Sequence, residues 1–323
     1  MAVRKRSTQL VLSETKSAAL LQRARAYATQ SRAEKTIYVY KSLWNDFVEF
    51  CRGMPEDPLP APPALVIQYI THLAEAQKVS TIETKLAAIG FRHRHGGMPD
   101  PTKDENVKLV LDGIKREHGA PPERKAGVER EVLGALLKAQ PDSLRGARNR
   151  ALLLIGYACD LRRSEIVALQ KEDVRFLGDR MVVTLRKSKT DQTREGFTIN
   201  VPRMEESALC PVHALATWLE VAKIKSGPLF RKVDRWDHLS ETALTDQVVA
   251  TIIKDAAGAA GYARDDFSGH SLRRGLITQA ARNREQTGDI RKVSRHKTEI
   301  MVDAYRADAE ETQMRVIGNA LRK

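Results

Sequence analysis

The sequence has 323 residues, with 54 lysines and arginines against 41 aspartates and glutamates, a formal net charge of +13. That length fits two domains at roughly 100–200 residues each, and the charge points to a polyanionic partner, most simply nucleic acid. Cys51, Cys159 and Cys210 are odd in number, widely spaced and without a CxxC, which argues against a disulfide framework or structural zinc and fits a reducing, intracellular setting. The start is basic and polar, and the longest apolar stretch, Ala151 to Leu161, is far short of the ~20 residues that cross a bilayer. No membrane segment and a cytoplasmic location are therefore expected.

Residues 1–14 show no period and read as a loose arm. Ile37, Tyr40, Trp44, Phe47 and Cys51 then recur at three- and four-residue intervals, the stripe of an amphipathic helix, which Gly53 and the proline-rich run Pro55 to Pro63 end. A second helix fits Ala64 to Ala76. A third follows Ser80-Thr81, which can cap it, and runs through Ile82, Leu86, Ile89 and Phe91. A fourth covers Asp104 to Glu117, with Val107, Val110, Leu111 and Ile114 on one face. Residues 15–118 thus form a compact four-helix bundle. Prolines, glycines and charges make residues 119–127 the linker.

The second domain, 128–323, opens with helical patterns at Glu129 to Lys138 and Leu144 to Tyr157. Arg180 to Arg186 and Gly196 to Pro202 are β-branched and read as strands, with the basic stretch Lys187 to Glu195 as their hairpin turn. Helical patterns return from Pro211, with Cys210-Pro211 starting a helix. The fold class is mainly α, with one small antiparallel sheet.

Four segments carry chemistry: Asp160-Leu-Arg-Arg-Ser-Glu-Ile166, Ser188-Lys-Thr190, His270-Ser-Leu-Arg273, and Arg295-His296 followed nine residues later by Tyr305. From them, two arginines, two histidines, a lysine and a tyrosine would form a cationic pocket with one phenol. Guanidinium forks match phosphate oxygens bidentately, and two of them can neutralise the charge of a pentacoordinate phosphorane. A phenol with a pKa of roughly 10 in water favours its phenolate form near several cations and can then attack phosphorus. His270 and Arg273, at i and i+3, are expected to face one way. In isolation Arg162 and Glu165 would read as a surface ion pair and Tyr305 as a half-buried core residue. Joint occurrence in one order defeats those readings. His93 and His95 lack the neighbours of a metal site.

The order R…K…HxxR…H…Y resembles the tyrosine recombinase family, also called phage integrases. Leu161-Arg-Arg-Ser-Glu165 resembles its LRxSE box, His270-Ser-Leu-Arg273-Arg274 its HxLRR box, and the His296–Tyr305 step its GH…Y segment. The resemblance covers nearly the whole chain and implies a core-binding bundle followed by a catalytic domain. It implies that Arg162 and Arg273 clamp the scissile phosphate, that Glu165 positions Arg162 or a neighbour, and that Lys189 is the general acid for the 5′ oxygen. Lys187, two residues away, is the alternative to Lys189. His270 would assist proton transfer, His296 would hydrogen-bond the phosphate, and Tyr305 would join the 3′ phosphate. The chain departs from the family in having Asp160 before Leu161 and Arg295 before His296, where glycine is common.

The resemblance further implies a site-specific recombinase acting as a homo-tetramer on two double-stranded DNA sites, in the cytoplasm on nucleoid DNA. No metal or cofactor is implied, and accessory DNA-bending proteins are compatible with it. Lys85, Arg92 and Arg94 are candidate DNA contacts. A C-terminal helix, Glu310 to Leu321, would dock on a neighbouring subunit through Met314, Ile317 and Leu321. A type IB topoisomerase, which relaxes supercoils without choosing a site, and a catalytically silent DNA-binding protein are the alternatives.

Overall fold

The structure, a computed structural model, describes residues 19–23, 34–120, 125–186, 196–204 and 208–295. The expected arm 1–14, Lys187 and Lys189, His296, Tyr305 and the C-terminal segment Glu310 to Leu321 lie outside the described residues. The chain divides into two compact units, Met1–Pro122 and Glu123–Lys323.

In the first unit, four helices share one core: α1 (Glu34–Phe50), α2 (Pro63–Ala74), α3 (Val79–His95) and α4 (Glu105–His118). Phe47, Leu65, Val66, Tyr69, Ile82, Ile89 and Val107 meet there, burying the faces that the three- and four-residue spacing marks out. α4 starts where Asp104 accepts a hydrogen bond from the Asn106 N–H at 2.8 Å. α3 corrects the expected cap. It begins at Val79, so Ser80 and Thr81 lie in its first turn, and its N-cap residue, Lys78, makes no side-chain capping bond. His93 is buried and structural: its Nε2 accepts from the Ala61 N–H at 2.9 Å, which leaves the proton on Nδ1, 2.9 Å from the Ile89 carbonyl.

The second unit runs through α5 (Arg130–Lys138), α6 (Leu144–Ala158), α7 (Arg163–Ala168), β1 (Val174–Phe176), β2 (Arg180–Leu185), β3 (Phe197–Pro202), α8 (Pro211–Val221), β4 (Arg231–Val233), β5 (Leu239–Ala243), α9 (Asp246–Ala259), α10 (Ser271–Arg282) and α11 (Thr287–Ser294). α6 is its central rod: every side chain from Ala151 to Ile155 is buried. The three-stranded sheet is antiparallel in the order β1-β2-β3, with Val183 opposite both Val174 and Ile199. Cys210 caps α8, its Sγ accepting from the His213 N–H, with Pro211 at the first helical position.

A second antiparallel pair, β4-β5, adds to the single sheet expected. The loop of this hairpin carries Asp237, whose carboxylate accepts from the Leu144 and Arg145 N–H groups at 3.0 and 3.2 Å and so caps α6.

Two close approaches set α10. Residues 125–128 lie along it: Ala126 N donates to Asp266 O at 2.7 Å and Val128 N to Ser271 O at 2.8 Å, while a Cβ at Gly275 would fall 1.9 Å from the Val128 carbonyl oxygen and one at Gly127 would lie 3.2 Å from the Gly275 backbone. At Gly156 in α6, a Cβ would sit 2.8 Å from Leu272 Cδ1 of α10 and 3.1 Å from Ile166 Cδ1 of α7. Glycine there lets the helices that follow Arg162 and carry Arg273 close onto α6.

Candidate active site

The site starts where α6 ends. The Leu161 N–H bonds to Gly156 O at 3.0 Å and the Asp160 N–H to Tyr157 O at 3.1 Å, a Schellman-type stop that requires a left-handed residue between helix and exit. Asp160 fills that position with φ +50°. The chain then turns so that Arg162 precedes α7. There Glu165 reaches back: its Oε2 accepts from the Arg162 N–H at 2.9 Å and its Oε1 from Arg162 Nη1 at 2.7 Å.

This is the i,i+3 pair of the sequence, but it is not a surface pair. The Glu165 side chain is 3% exposed and takes a second guanidinium, Arg295 Nη2, at 3.1 Å. Burial opposes ionisation of Glu165. The Arg295 charge, together with the Arg162 N–H and guanidinium, outweighs it and holds the carboxyl below its ordinary value.

Arg273, one turn into α10, is buried. Its Nη1 donates to the Asp160 carbonyl at 2.6 Å and lies 2.8 Å from the Asp160 carboxylate, and its Nη2 donates to the Ser294 carbonyl at the end of α11. Burial lowers the Arg273 pKa from its ordinary value, with Asp160 opposing that and the Arg162 and Arg295 charges adding to it. The same burial raises the Asp160 carboxyl well above the usual range, against the pull of Arg273 and Arg295.

Arg295 caps α11 in the left-handed region at φ +56°. Its Nη2 donates to Asp160 O at 2.6 Å, and its guanidinium lies over the Phe197 ring at 5.7 Å. Phe197 opens β3. The described residues end at Arg295, one position before His296.

The structure therefore brings Arg162, Glu165 and Arg273 together, while Lys189 and His296 lie outside the described residues. His270 is the N-cap residue of α10 and exposed, whereas Arg273 is buried. Asp160 and Arg295, which the sequence marked only as departures, supply two of the five charged groups at the site.

The candidate DNA contacts separate. Arg92 and Arg94 are exposed on α3, Arg92 over the Trp44 ring at 5.9 Å and Arg94 paired with Asp100. Lys85 departs from the expectation of an outward cation. It is buried, with Nζ 2.8 Å from Asp46 Oδ2 and 3.3 Å from the Tyr69 hydroxyl. Its charge is spent inside the bundle. Among the described residues no cluster of three or more His, Cys, Asp or Glu could hold a metal ion, and no helix is long and apolar enough to cross a membrane.

The family model described as the phage integrase family matches residues 128–312. The chain belongs to this family. It is 35% identical over 287 residues to an integrase/recombinase XerD homologue of Selenomonas ruminantium, covering 88% of this chain and 84% of that protein. It is 27% identical over 277 residues to recombinase Cre of Escherichia phage P1, covering 78% of each. Among solved structures, the Tn1549 transposon integrase in complex with circular intermediate DNA matches with a TM-score of 0.64 at 13% identity, over 94% of this chain and 99% of that one. A lambda integrase tetramer bound to a Holliday junction matches with a TM-score of 0.61 at 15% identity, over 90% and 76%. These likenesses establish the mainly helical integrase fold. The family match spans all the segments from Arg162 to Tyr305.

Proposed function

We propose that the chain is a site-specific DNA recombinase that cuts and rejoins strands through a 3′-phosphotyrosine at Tyr305. The observation that carries the reading is the buried network in which Glu165 and Asp160 hold Arg162 and Arg273, in a chain whose relatives are named as recombinases. Two guanidiniums anchored from behind by carboxylates are preorganised donors for a phosphate whose charge grows in the transition state. The Arg162 side chain is 19% exposed, so its outer face is open to solvent and to a phosphate.

In this reading Arg162 and Arg273 clamp the scissile phosphate. His270 and His296 assist the proton and the phosphate oxygen, and Lys189 protonates the departing 5′ oxygen. Tyr305 displaces that oxygen and retains the phosphate as an ester. The ester conserves the energy of the broken bond, so a 5′ hydroxyl from another strand reverses the attack. Arg92 and Arg94 are proposed backbone contacts; Lys85 is not. The active assembly is proposed to be a homo-tetramer on two sites, acting on nucleoid DNA in the cytoplasm, with accessory DNA-bending proteins admitted where a site requires them.

Covalent trapping tests this. Purified protein is incubated with labelled duplex fragments from the region flanking its own gene and from a genomic library, then denatured in SDS. Label on the protein that vanishes in Tyr305→Phe is the expected result. Fragments bound specifically without any covalent label would turn the reading to a binding protein. Relaxation of any plasmid irrespective of sequence would turn it to a topoisomerase.

A further inference from the structure

Two of the five non-glycine residues with positive φ in the described chain meet at the site. Lys223 and Arg284, which also sit in the left-handed region, turn their side chains to solvent. Asp160 and Arg295 instead bury theirs, with side-chain exposures of 0% and 7%. Each combines a backbone conformation that favours glycine with a charge taken out of water. Asp160 Oδ1, and Nε and Nη1 of Arg295, are buried without a hydrogen-bond partner, and Asp160 Oδ2 has only its ion pair with Arg273. Strain and unmet polar groups persist where the surroundings over-determine them, and they concentrate at functional sites.

The contacts show what the two residues do. Asp160 makes the carboxylate ion pair of Arg273, at 2.8 Å. Arg295 binds the carboxylate that holds Arg162, and donates to the carbonyl of Asp160 itself. So the residue at the end of α6 fixes the arginine of α10, and the residue at the end of α11 fixes the arginine before α7.

The charges also balance as a pair. Counted with Asp160 ionised in its ion pair with Arg273, Arg162, Arg273 and Arg295 against Asp160 and Glu165 give a net +1. Without both Asp160 and Arg295 the count is two guanidiniums against one carboxylate, again +1. Removing Asp160 alone gives +2, and removing Arg295 alone gives 0. Glycine at both positions would suit the backbone and keep the charge, whereas one glycine leaves a buried charge without its counterpart.

We infer that Asp160 and Arg295 are positioning residues that act as one charge-neutral unit, together setting the two phosphate-clamping arginines for cleavage. The inference rests on the recombinase reading and concerns how this chain's site is built in place of two glycines.

The test is a double-mutant cycle with Asp160→Gly, Arg295→Gly and the double variant, using the duplex fragment that wild-type protein captures covalently. Single-turnover adduct formation is measured alongside fragment affinity and thermal melting. Each single change should slow adduct formation about 100-fold, the scale of a misplacement near 1 Å, with affinity within about threefold because the other phosphate contacts remain. The double variant should be about tenfold or more faster than the product of the two single effects allows. A merely structural role would move melting and affinity but not the ratio of rate to affinity. Asp160→Asn, Arg295→Gln and their combination keep side-chain volume and form a second cycle if a glycine variant fails to fold. Effects that multiply in both cycles, or single changes that slow the reaction less than threefold, overturn the inference. Wild-type protein that forms no adduct overturns the recombinase reading, and this inference with it.

Discussion

Replacing Gly275 with alanine tests whether the close approach of residues 125–128 fixes the helix that carries Arg273. An ideal Cβ at Gly275 would lie 1.9 Å from the Val128 carbonyl oxygen and 2.4 Å from its carbon. Relaxed carbon–oxygen contacts fall at about 3.3–3.6 Å, so the segment must retreat by roughly 1 Å or more. Retreat breaks the Ala126 N–Asp266 O and Val128 N–Ser271 O hydrogen bonds, at about 1 kcal/mol each. It also loosens the Val128 side chain, which is fully buried, for about 1–2 kcal/mol more. The helix preference of alanine over glycine returns about 1 kcal/mol. The net loss is about 2–3 kcal/mol, a drop of roughly 5–10 °C in Tm for a unit of this size. The same change at Gly134, inside α5 with nothing within 4 Å of its ideal Cβ, keeps only the helix gain and should raise Tm by roughly 2–4 °C. Calorimetry and urea midpoints on both variants measure the two signs. A Gly275→Ala protein that melts at or above wild type would refute the reasoning, since the segment would then have yielded without cost.

Other outcomes follow from the same contacts. Arg162→Lys keeps the charge but loses the planar fork, and single-turnover adduct formation should fall about 100-fold or more with the melting temperature little changed. Glu165→Gln leaves the Arg162 and Arg295 guanidiniums without their shared carboxylate and should cost about 3 kcal/mol at pH 7, read by urea denaturation. Because the folded pKa of Glu165 is depressed below 4.5, its contribution is complete above the unfolded value and fades as pH falls through the lower folded one. Wild type should therefore lose stability below about pH 4.5, and Glu165→Gln should lack that part of the acid slope in melts between pH 3 and 7. Lys85→Met should change bundle stability by less than about 1 kcal/mol and leave the salt dependence of DNA binding unaltered. Arg92→Ala should lower the slope of log K against log salt by about 1; a Lys85 variant that lowers the slope instead would return that lysine to the DNA surface.

Where packing faces are periodic, the sequence is readable: Val107, Val110, Leu111 and Ile114 place α4 within a residue of its ends, because burial along one face dictates a helical repeat. The clustering of Arg162, Glu165 and Arg273 is readable because a guanidinium pair with its carboxylate partner forms a recognisable sequence box. Lys85 is not, since its partner Asp46 is 39 residues away on another helix and a lysine in a helical repeat counts as a solvent-facing position. β4 and β5 have three and five residues, too few for alternation to rise above chance. Positive φ at Asp160 and Arg295 comes from how two helices end, and the meeting of their side chains comes from tertiary packing across 135 positions. Neither leaves a mark in a local pattern, beyond an unexpected letter in each of two boxes.

The bond from Arg273 to the Ser294 carbonyl has a thermodynamic corollary. Ser294 closes α11, and the chain runs from there through His296 to Tyr305. If Arg273 clamps the scissile phosphate and Tyr305 attacks it, as proposed, this bond couples two equilibria: occupancy of the phosphate site and placement of the segment bearing the nucleophile. Such coupling is reciprocal. Anything that repositions the end of α11 changes phosphate affinity by some factor, and phosphate binding must bias the end of α11 by the same factor. A neighbouring subunit that takes hold of the chain beyond Ser294 would thereby adjust, from a distance, how firmly this subunit grasps its own DNA.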